Sequence, residues 1–500
     1  MISRPSRTPL APGFWTAILC CLLVAAPCHA QKHAKHSSDA AASNAAGGAI
    51  SALMISDIHF DPFHDPSKAS LLAQTPVSRW ESVLTSPASP QQQQDFEALQ
   101  KQCGARGVDT PWPLLRSALD AMRAQQPDPQ FITLTGDLVA HALDCRFNAL
   151  VHNAAPEAYA SFVANTIQFV VDQLRSAYPG VPIYISLGNN DTPCGDYQLD
   201  PGSAFLARTA TTIADALPES SRGEVAAQFP TGGYYSVTMA PPMLDTRIIV
   251  LNDLFLVPRY RSCAGADNPA PAATEIAWLG HQLAQAEQDG QNVWVIGHIP
   301  PGVDPYSTVK EFRNVCGGQS PVMFLSSTKI DDLLMQYSDI VRLGLFAHTH
   351  MDEMRLLAPP GAATAASATN AVPLKLVSSI SPVDGNNPSF TVAQVDPVTA
   401  ALCDYDVFVA SNQTGIGTTW SEEYDYAAAY HEPAFSAAAV GDLIAQFQRD
   451  PKADTGLSQQ YIRSYFKGDA SRALTPFWPQ YACALNNTTA QSYAACVCHK

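Results

Sequence analysis

The chain has 500 residues, 46% hydrophobic and 15% charged, which is ample for a large packed core and excludes a wholly disordered chain or a disulfide-only mini-scaffold. Lys and Arg total 29 against 45 Asp and Glu, a formal charge of −16, which argues against stable binding to nucleic acid or to anionic membrane through a broad cationic face. At roughly 100–200 residues per domain, the length allows about two to four domains or one large α/β core with appendages.

Residues 1–30 read as a secretory signal peptide. Arg4 and Arg7 precede an apolar run at 14–26, and Pro27-Cys28-His29-Ala30 puts a small residue at the cleavage edge. The run is too short to span a bilayer, and no later segment approaches the about 20 apolar residues a membrane helix needs. Cleavage after Ala30 removes two arginines, moving the charge from −16 to −18. It also removes three of the 12 cysteines and leaves nine, an odd set. Export makes disulfides permissible. Residues 31–48, rich in Ala, Ser, His and Lys, read as a flexible linker.

From residue 51 a periodic pattern begins. Short apolar runs at 51–56, 131–135, 182–187, 247–251, 293–296 and 340–346 have the character of buried parallel strands. Stretches at 112–125, 157–177 and 274–287 place apolar residues at helical spacing, as Leu115, Leu119 and Met122 do. Strand and helix alternating in this way predict an α/β or α+β core over 49–410. Long irregular loops are expected at 64–110, 192–230, 258–273 and 358–372. Residues 411–500, with Tyr424, Tyr426, Tyr430 and Phe435, read as a helical C-terminal subdomain whose aromatic stripe packs on the core. Cys483, Cys496 and Cys498 predict at least one disulfide there, because the Cys-x-Cys spacing suits a zinc finger poorly.

Polar clusters stand where the strands stop, the edge at which open α/β sheets gather ligands. They are Asp57-Ile-His59, Gly136-Asp137, Gly188-Asn189-Asn190-Asp191, Gly297-His298 and His348-Thr-His350. Asp57, His59, Asp137, Asn189, His298, His348 and His350 are ligand types suited to zinc, manganese or iron. Singly, each fragment is a common turn or cap; five in one order, each at a strand end, form a constellation.

This ordered set, over about residues 50–410, resembles the calcineurin-like metallophosphoesterases. Asp57-Ile-His-Phe-Asp-Pro62, Gly136-Asp-Leu-Val-Ala-His141, Ile296-Gly-His-Ile-Pro-Pro-Gly302 and Ala347-His-Thr-His-Met-Asp-Glu353 are similar to the acid sphingomyelinase-like phosphodiesterase branch. The resemblance implies a four-layer sandwich of two mixed β-sheets flanked by helices. It implies two divalent cations, zinc first and manganese or iron as alternatives. Asp57, His59, Asp137 and His350 would hold one, Asp137, Asn189, His298 and His348 the other, with Asp137 bridging. Hydroxide generated between the metals would attack phosphorus in line. The implied partner is a phosphorylated small molecule, a nucleotide, polyphosphate or a phospholipid headgroup, and the implied state a monomer.

Asn190 departs from the pattern. Many relatives have His there, assisting the leaving group, and an amide cannot act as a general acid. The resemblance offers His141 for that task, and Gly188-Asn-Asn-Asp191 is similar to endopolyphosphatases, whose anhydride leaving groups need no acid. Acid sphingomyelinase itself carries a saposin domain with six cysteines, whereas no cysteine stands here between Cys28 and Cys103. Both features tilt the expectation from sphingomyelin towards nucleotides or polyphosphate. The alternative from another class is a non-catalytic metal- or phosphate-binding protein on the same fold.

Overall fold

The computed structural model describes residues 48–498 apart from 153, 154, 156, 360–369 and 468. The signal peptide, nearly all of the linker and most of the 358–372 loop lie outside the described residues. The strands are β1 (Ile50–Ile55), β2 (Phe131–Thr135), β3 (Ile183–Ser186), β4 (Tyr235–Thr238), β5 (Thr246–Val250), β6 (Asn292–Ile296), β7 (Val341–Phe346), β8 (Glu353–Leu357), β9 (Val372–Leu376), β10 (Ser389–Val395), β11 (Leu402–Ala410) and β12 (Trp420–Asp425). They form two six-stranded mixed sheets, ordered β12-β11-β10-β1-β2-β3 and β4-β5-β6-β7-β9-β8.

The parallel strands are β1, β2 and β3 in one sheet, where β3 forms the edge, and β5, β6, β7 and β9 in the middle of the other. Being covered on both faces, they read as continuous apolar runs, and Leu53, Ile132, Ile185, Val295 and Leu345 are fully buried. Phe131 of β2 meets Trp294 of β6 edge-on at 5.6 Å, joining the sheets. Helices Trp112–Gln125 and Ala158–Ala177 pack on one another, and Ala270–Gln288 lies against β5 and β6. The sandwich of two mixed sheets flanked by helices is the expected one.

Two expected loops are largely helical. The 64–110 stretch contains the helices Ala69–Gln74, Trp80–Leu84 and Gln92–Gln102, and 192–230 contains Ala204–Asp215 and the start of Glu219–Gly232. Gln92–Gln102 buries only Phe96 and Leu99, too sparse an apolar stripe to read by period. Pro230 inside Glu219–Gly232 conceals the other. Among the described residues four disulfides cross-link the chain: Cys103–Cys145, Cys194–Cys263, Cys316–Cys498 and Cys483–Cys496. The last of them is a pair anticipated in the tail.

The C-terminal region is helical, but it opens with β12, which pairs antiparallel with β11 at the sheet edge. Its aromatic stripe is packing: Tyr426 lies 5.0 Å from Tyr405 and 5.4 Å from Phe435. The region also reaches the loop that ends at β8. Asp352 is buried between the ammonium groups of Lys375 and Lys467 and accepts the Tyr424 hydroxyl at 2.7 Å. Lys467 is also 3.0 Å from Glu423. Removing one partner of such a buried set costs about 3–5 kcal/mol, because the remaining charge is left unpaired.

Strands β11 and β12 set Asp406 directly opposite Asp425. Burial, then the charges of Asp425, Glu422 and Asp404, push the Asp406 carboxyl up from 3.8 to about 7. A raised carboxyl favours the folded state fully below its unfolded value and loses that support as pH climbs through about 7. Asp406→Asn is therefore expected to stabilise the fold at pH 8 by on the order of 0.5 kcal/mol. The gain should fade towards pH 4 in urea unfolding; an equal gain at both pH values would contradict charge repulsion as its origin.

Candidate metal centre

The carboxyl ends of parallel strands from both sheets converge on one spot. Asp57 and His59 follow β1, Asp137 follows β2, Asn189 follows β3, His298 follows β6, and His348 and His350 follow β7. Five of these leave the sheet through left-handed backbone: φ is 43° at Asp57, 42° at His59, 52° at Asp137, 69° at His348 and 64° at His350. Non-glycine residues held there cost about 1–3 kcal/mol each and persist where the surroundings over-determine them. The turns are also pressed together. A Cβ on Gly136 would stand 2.8 Å from the Gly188 nitrogen, so the β2 and β3 turns meet only because glycine lacks one.

The Asp137 carboxylate lies at the centre. Its Oδ2 is 3.4 Å from His59 Nε2 and 3.2 Å from His298 Nε2. On the His59 side, His350 Nε2 lies 3.1 Å from His59 Nε2 and 3.4 Å from Asp57 Oδ1. On the other side, His298 Nε2 lies 3.2 Å from Asn189 Oδ1 and 3.3 Å from His348 Nδ1. Outer partners fix these directions. His59 Nδ1 donates to the Val139 carbonyl at 2.9 Å and His298 Nδ1 to the Thr135 carbonyl at 2.8 Å. Because a carbonyl only accepts, each neutral ring turns an Nε2 lone pair inward. Asn189 Nδ2 donates to Asp196 at 2.7 Å, which turns its Oδ1 inward as well.

Asp57 Oδ1 is buried without a hydrogen-bond partner, and it faces two histidine nitrogens. An orphaned carboxylate oxygen among inward lone pairs is the arrangement a cation completes, and mixed imidazole, carboxylate and amide oxygen suits zinc, manganese or iron. The electrostatics agree. Burial alone would lower the histidines, yet the Asp137 carboxylate overrides it and raises His59 to about 9 and His298 to about 10. Burial, with neighbouring histidines, lowers His348 to about 3 and His350 to about 4. Against the cost of burial, His350 and His59 keep Asp57 low, and His298 and His59 hold Asp137 well below the usual carboxylate range. The two carboxylates draw positive charge towards this spot, and a cation held there would supply it without protons on the rings.

The calcineurin-like phosphoesterase family model matches residues 50–352, more than half of the chain. The chain belongs to the calcineurin-like phosphoesterase family. It is 26% identical over 454 residues to the acid sphingomyelinase-like phosphodiesterase 3b of Mus musculus, covering 89% of each chain. It is 25% identical over 402 residues to the cyclic GMP-AMP phosphodiesterase SMPDL3A of Homo sapiens, covering 78% of this chain and 80% of that one. A solved dimetal phosphatase from Danio rerio is similar at a TM-score of 0.40 and 11% identity, over 75% of this chain and 99% of the other. The chain is thus a metal-dependent phosphoric ester hydrolase by family, a family that implies divalent cations. No described helix is long and apolar enough to cross a membrane.

All seven residues singled out as ligands in this phosphoesterase lie in the one cluster, and His141 and Asn190 border it. The His141 ring stacks on His59 at 3.9 Å and 19°. Its Nδ1 lies 2.9 Å from Asp109 Oδ1, and its main-chain N–H donates to Asp109 Oδ2 at 2.9 Å. Asp109 also accepts from Ser381 at 3.1 Å and lies 3.6 Å from Arg146, which pairs with Asp61 at 2.6 Å. Despite burial, His141 holds Asp109 well below the usual carboxylate range. Asp109 stands in a loop without a motif, so sequence reasoning missed it. Asp253 was missed too, although Asn252-Asp253 ends β5 as the other polar pairs end their strands. Its Oδ2 accepts the main-chain N–H groups of His298 at 2.8 Å and Ile299 at 3.0 Å.

Asp191 binds the β2 and β3 turns together. It accepts the main-chain N–H groups of Leu138 at 2.9 Å, Val139 at 3.0 Å and Gly188 at 2.9 Å. Burial and the nearby Asp137 push its carboxyl up to about 7. Asp191→Ala orphans three buried donors, each costing about 1–3 kcal/mol. We expect a loss of at least about 3 kcal/mol in denaturant unfolding of the metal-free protein; a loss under about 1 kcal/mol would contradict this accounting.

Proposed function

We propose that the protein is an exported phosphodiesterase or phosphoanhydride hydrolase holding two divalent cations, zinc first and manganese or iron as alternatives. One observation carries the reading: a single carboxylate oxygen, Asp137 Oδ2, faces the inward nitrogens of both His59 and His298. Asp57, His59 and His350 would complete one half of the centre, and Asn189, His298 and His348 the other. Bound there, two divalent cations supply Lewis acidity to the phosphoryl oxygens and lower the pKa of water. The chain's own residues orient these ligands and manage the leaving group. His141, braced by Asp109, leaves its second nitrogen free to hand a proton to the departing oxygen.

Asn190 has no proton to give near neutral pH. The reading therefore favours nucleotides or polyphosphate over a lipid diester, with weakly basic phosphate as the leaving group. A relative named for cyclic GMP-AMP supports nucleotides, here as diesters whose ribose leaving group would draw on His141, and relatives named for sphingomyelinase keep a phosphocholine-type diester in the panel. Four disulfides support export. The catalytic unit is residues 49–410; 411–500 forms the subdomain that braces it through β12 and Lys467.

The test is a panel of bis-p-nitrophenyl phosphate, nucleoside triphosphate, polyphosphate and sphingomyelin, with and without chelator. Turnover should vanish with chelator and return with zinc or manganese. No turnover of any of the four by metal-loaded protein would leave a binding protein on this fold. Asp137→Ala should abolish metal binding and turnover together, and surviving turnover would rule out the shared carboxylate. His141→Ala should slow alkoxide leaving groups by about 100-fold or more and p-nitrophenolate far less; equal losses would remove its acid role.

A further inference from the structure

Asn190 is turned towards the centre rather than away from it. It is 6% exposed, and it grips Asp137 twice. Its main-chain N–H donates to Asp137 Oδ1 at 2.8 Å and its side-chain Nδ2 to Oδ2 at 2.9 Å. The amide orientation follows from chemistry: an ionised carboxylate oxygen only accepts, so nitrogen must face it. The first contact would exist with almost any residue at 190. The second needs a donor at the end of a two-carbon arm, and it is made to the very oxygen that faces His59 and His298.

A carboxylate held at one oxygen can still rotate about its Cβ–Cγ bond and exchange the oxygen it presents. Held at both oxygens by one residue, it cannot do so without breaking a buried hydrogen bond, which leaves a donor unsatisfied. We propose that Asn190 is a positioning residue for the Asp137 carboxylate, fixing which oxygen faces both halves of the centre, and that it takes no part in proton transfer. This rests on the reading of Asp137 as the shared ligand. It makes asparagine at 190 a gain of rigidity rather than a lost acid, and it leaves His141 as the donor for any leaving group that needs one.

Outer partners of metal ligands typically contribute about 10–100-fold to affinity. Asn190→Ala should therefore weaken zinc binding by about 10-fold or more, read by competition with a chromophoric chelator on the metal-free full chain. Asn190→Ser, a donor on a shorter arm, should fall between Ala and the native protein. Near-UV circular dichroism of the metal-free variants checks folding, and should Asn190→Ala unfold, the Ser variant alone decides. At saturating zinc, Asn190→Ala should change turnover of alkyl and p-nitrophenyl diesters by the same factor. Zinc affinity within twofold of native in a folded variant, or a loss confined to alkyl leaving groups, would overturn the proposal. Native affinity in Asp137→Ala would instead overturn the shared-carboxylate reading beneath it.

Discussion

A buried carboxylate far from any cation costs several kcal/mol in desolvation, and Asp137 is 1% exposed. Its charge is tolerated only because donors and partially positive groups from three other strand ends surround it. The Asn190 main chain holds Oδ1, and the Asn190 side chain, His59 and His298 gather at Oδ2. Those partners come from both sheets. The requirement to neutralise Asp137 is therefore also a requirement that the two sheets bring their parallel strands to a common edge.

The left-handed turns after β1, β2 and β7 are the local means of meeting that requirement. A strand that continued straight would carry Asp57, Asp137 and His348 past one another. Turning sharply at each end costs backbone strain, and buried acceptors offset it. Asp191 binds three main-chain N–H groups of the β2 and β3 turns, and Asp253 binds two after β6. Both carboxyls are raised, to about 7 and about 6, chiefly by burial, so they hold their turns at the expense of easy ionisation. The inner residues are placed by an outer layer that is itself electrostatically costly.

Much of the site was legible in the sequence because its residues sit in short motifs at the ends of strongly apolar runs. Asp57-Ile-His59 and His348-Thr-His350 needed only strand recognition to be placed together. What escaped was whatever depends on distant pairing. Asp109 meets His141 across 32 residues, within a stretch that read as irregular, and no local pattern marks it. The helices between 64 and 110 escaped because they bury few apolar side chains. Strand β12 escaped because an edge strand reading Trp-Ser-Glu-Glu-Tyr-Asp has no continuous apolar run. The substitution at Asn190 was visible, but its meaning was not: sequence showed a missing acid, and the geometry shows a donor to Asp137.

Lys467 ties the loop that carries His348 and His350 to the C-terminal region. Asp352, two residues beyond His350, is neutralised by Lys375 and by a lysine 115 residues further along the chain, and it accepts the Tyr424 hydroxyl. Along the chain, all the inward-facing histidines come well before that lysine. Without it the loop carrying His348 and His350 is tied to an acidic residue lacking part of its compensation. The surroundings of the loop that carries His348 and His350 are complete only once the far C-terminal region has packed against it.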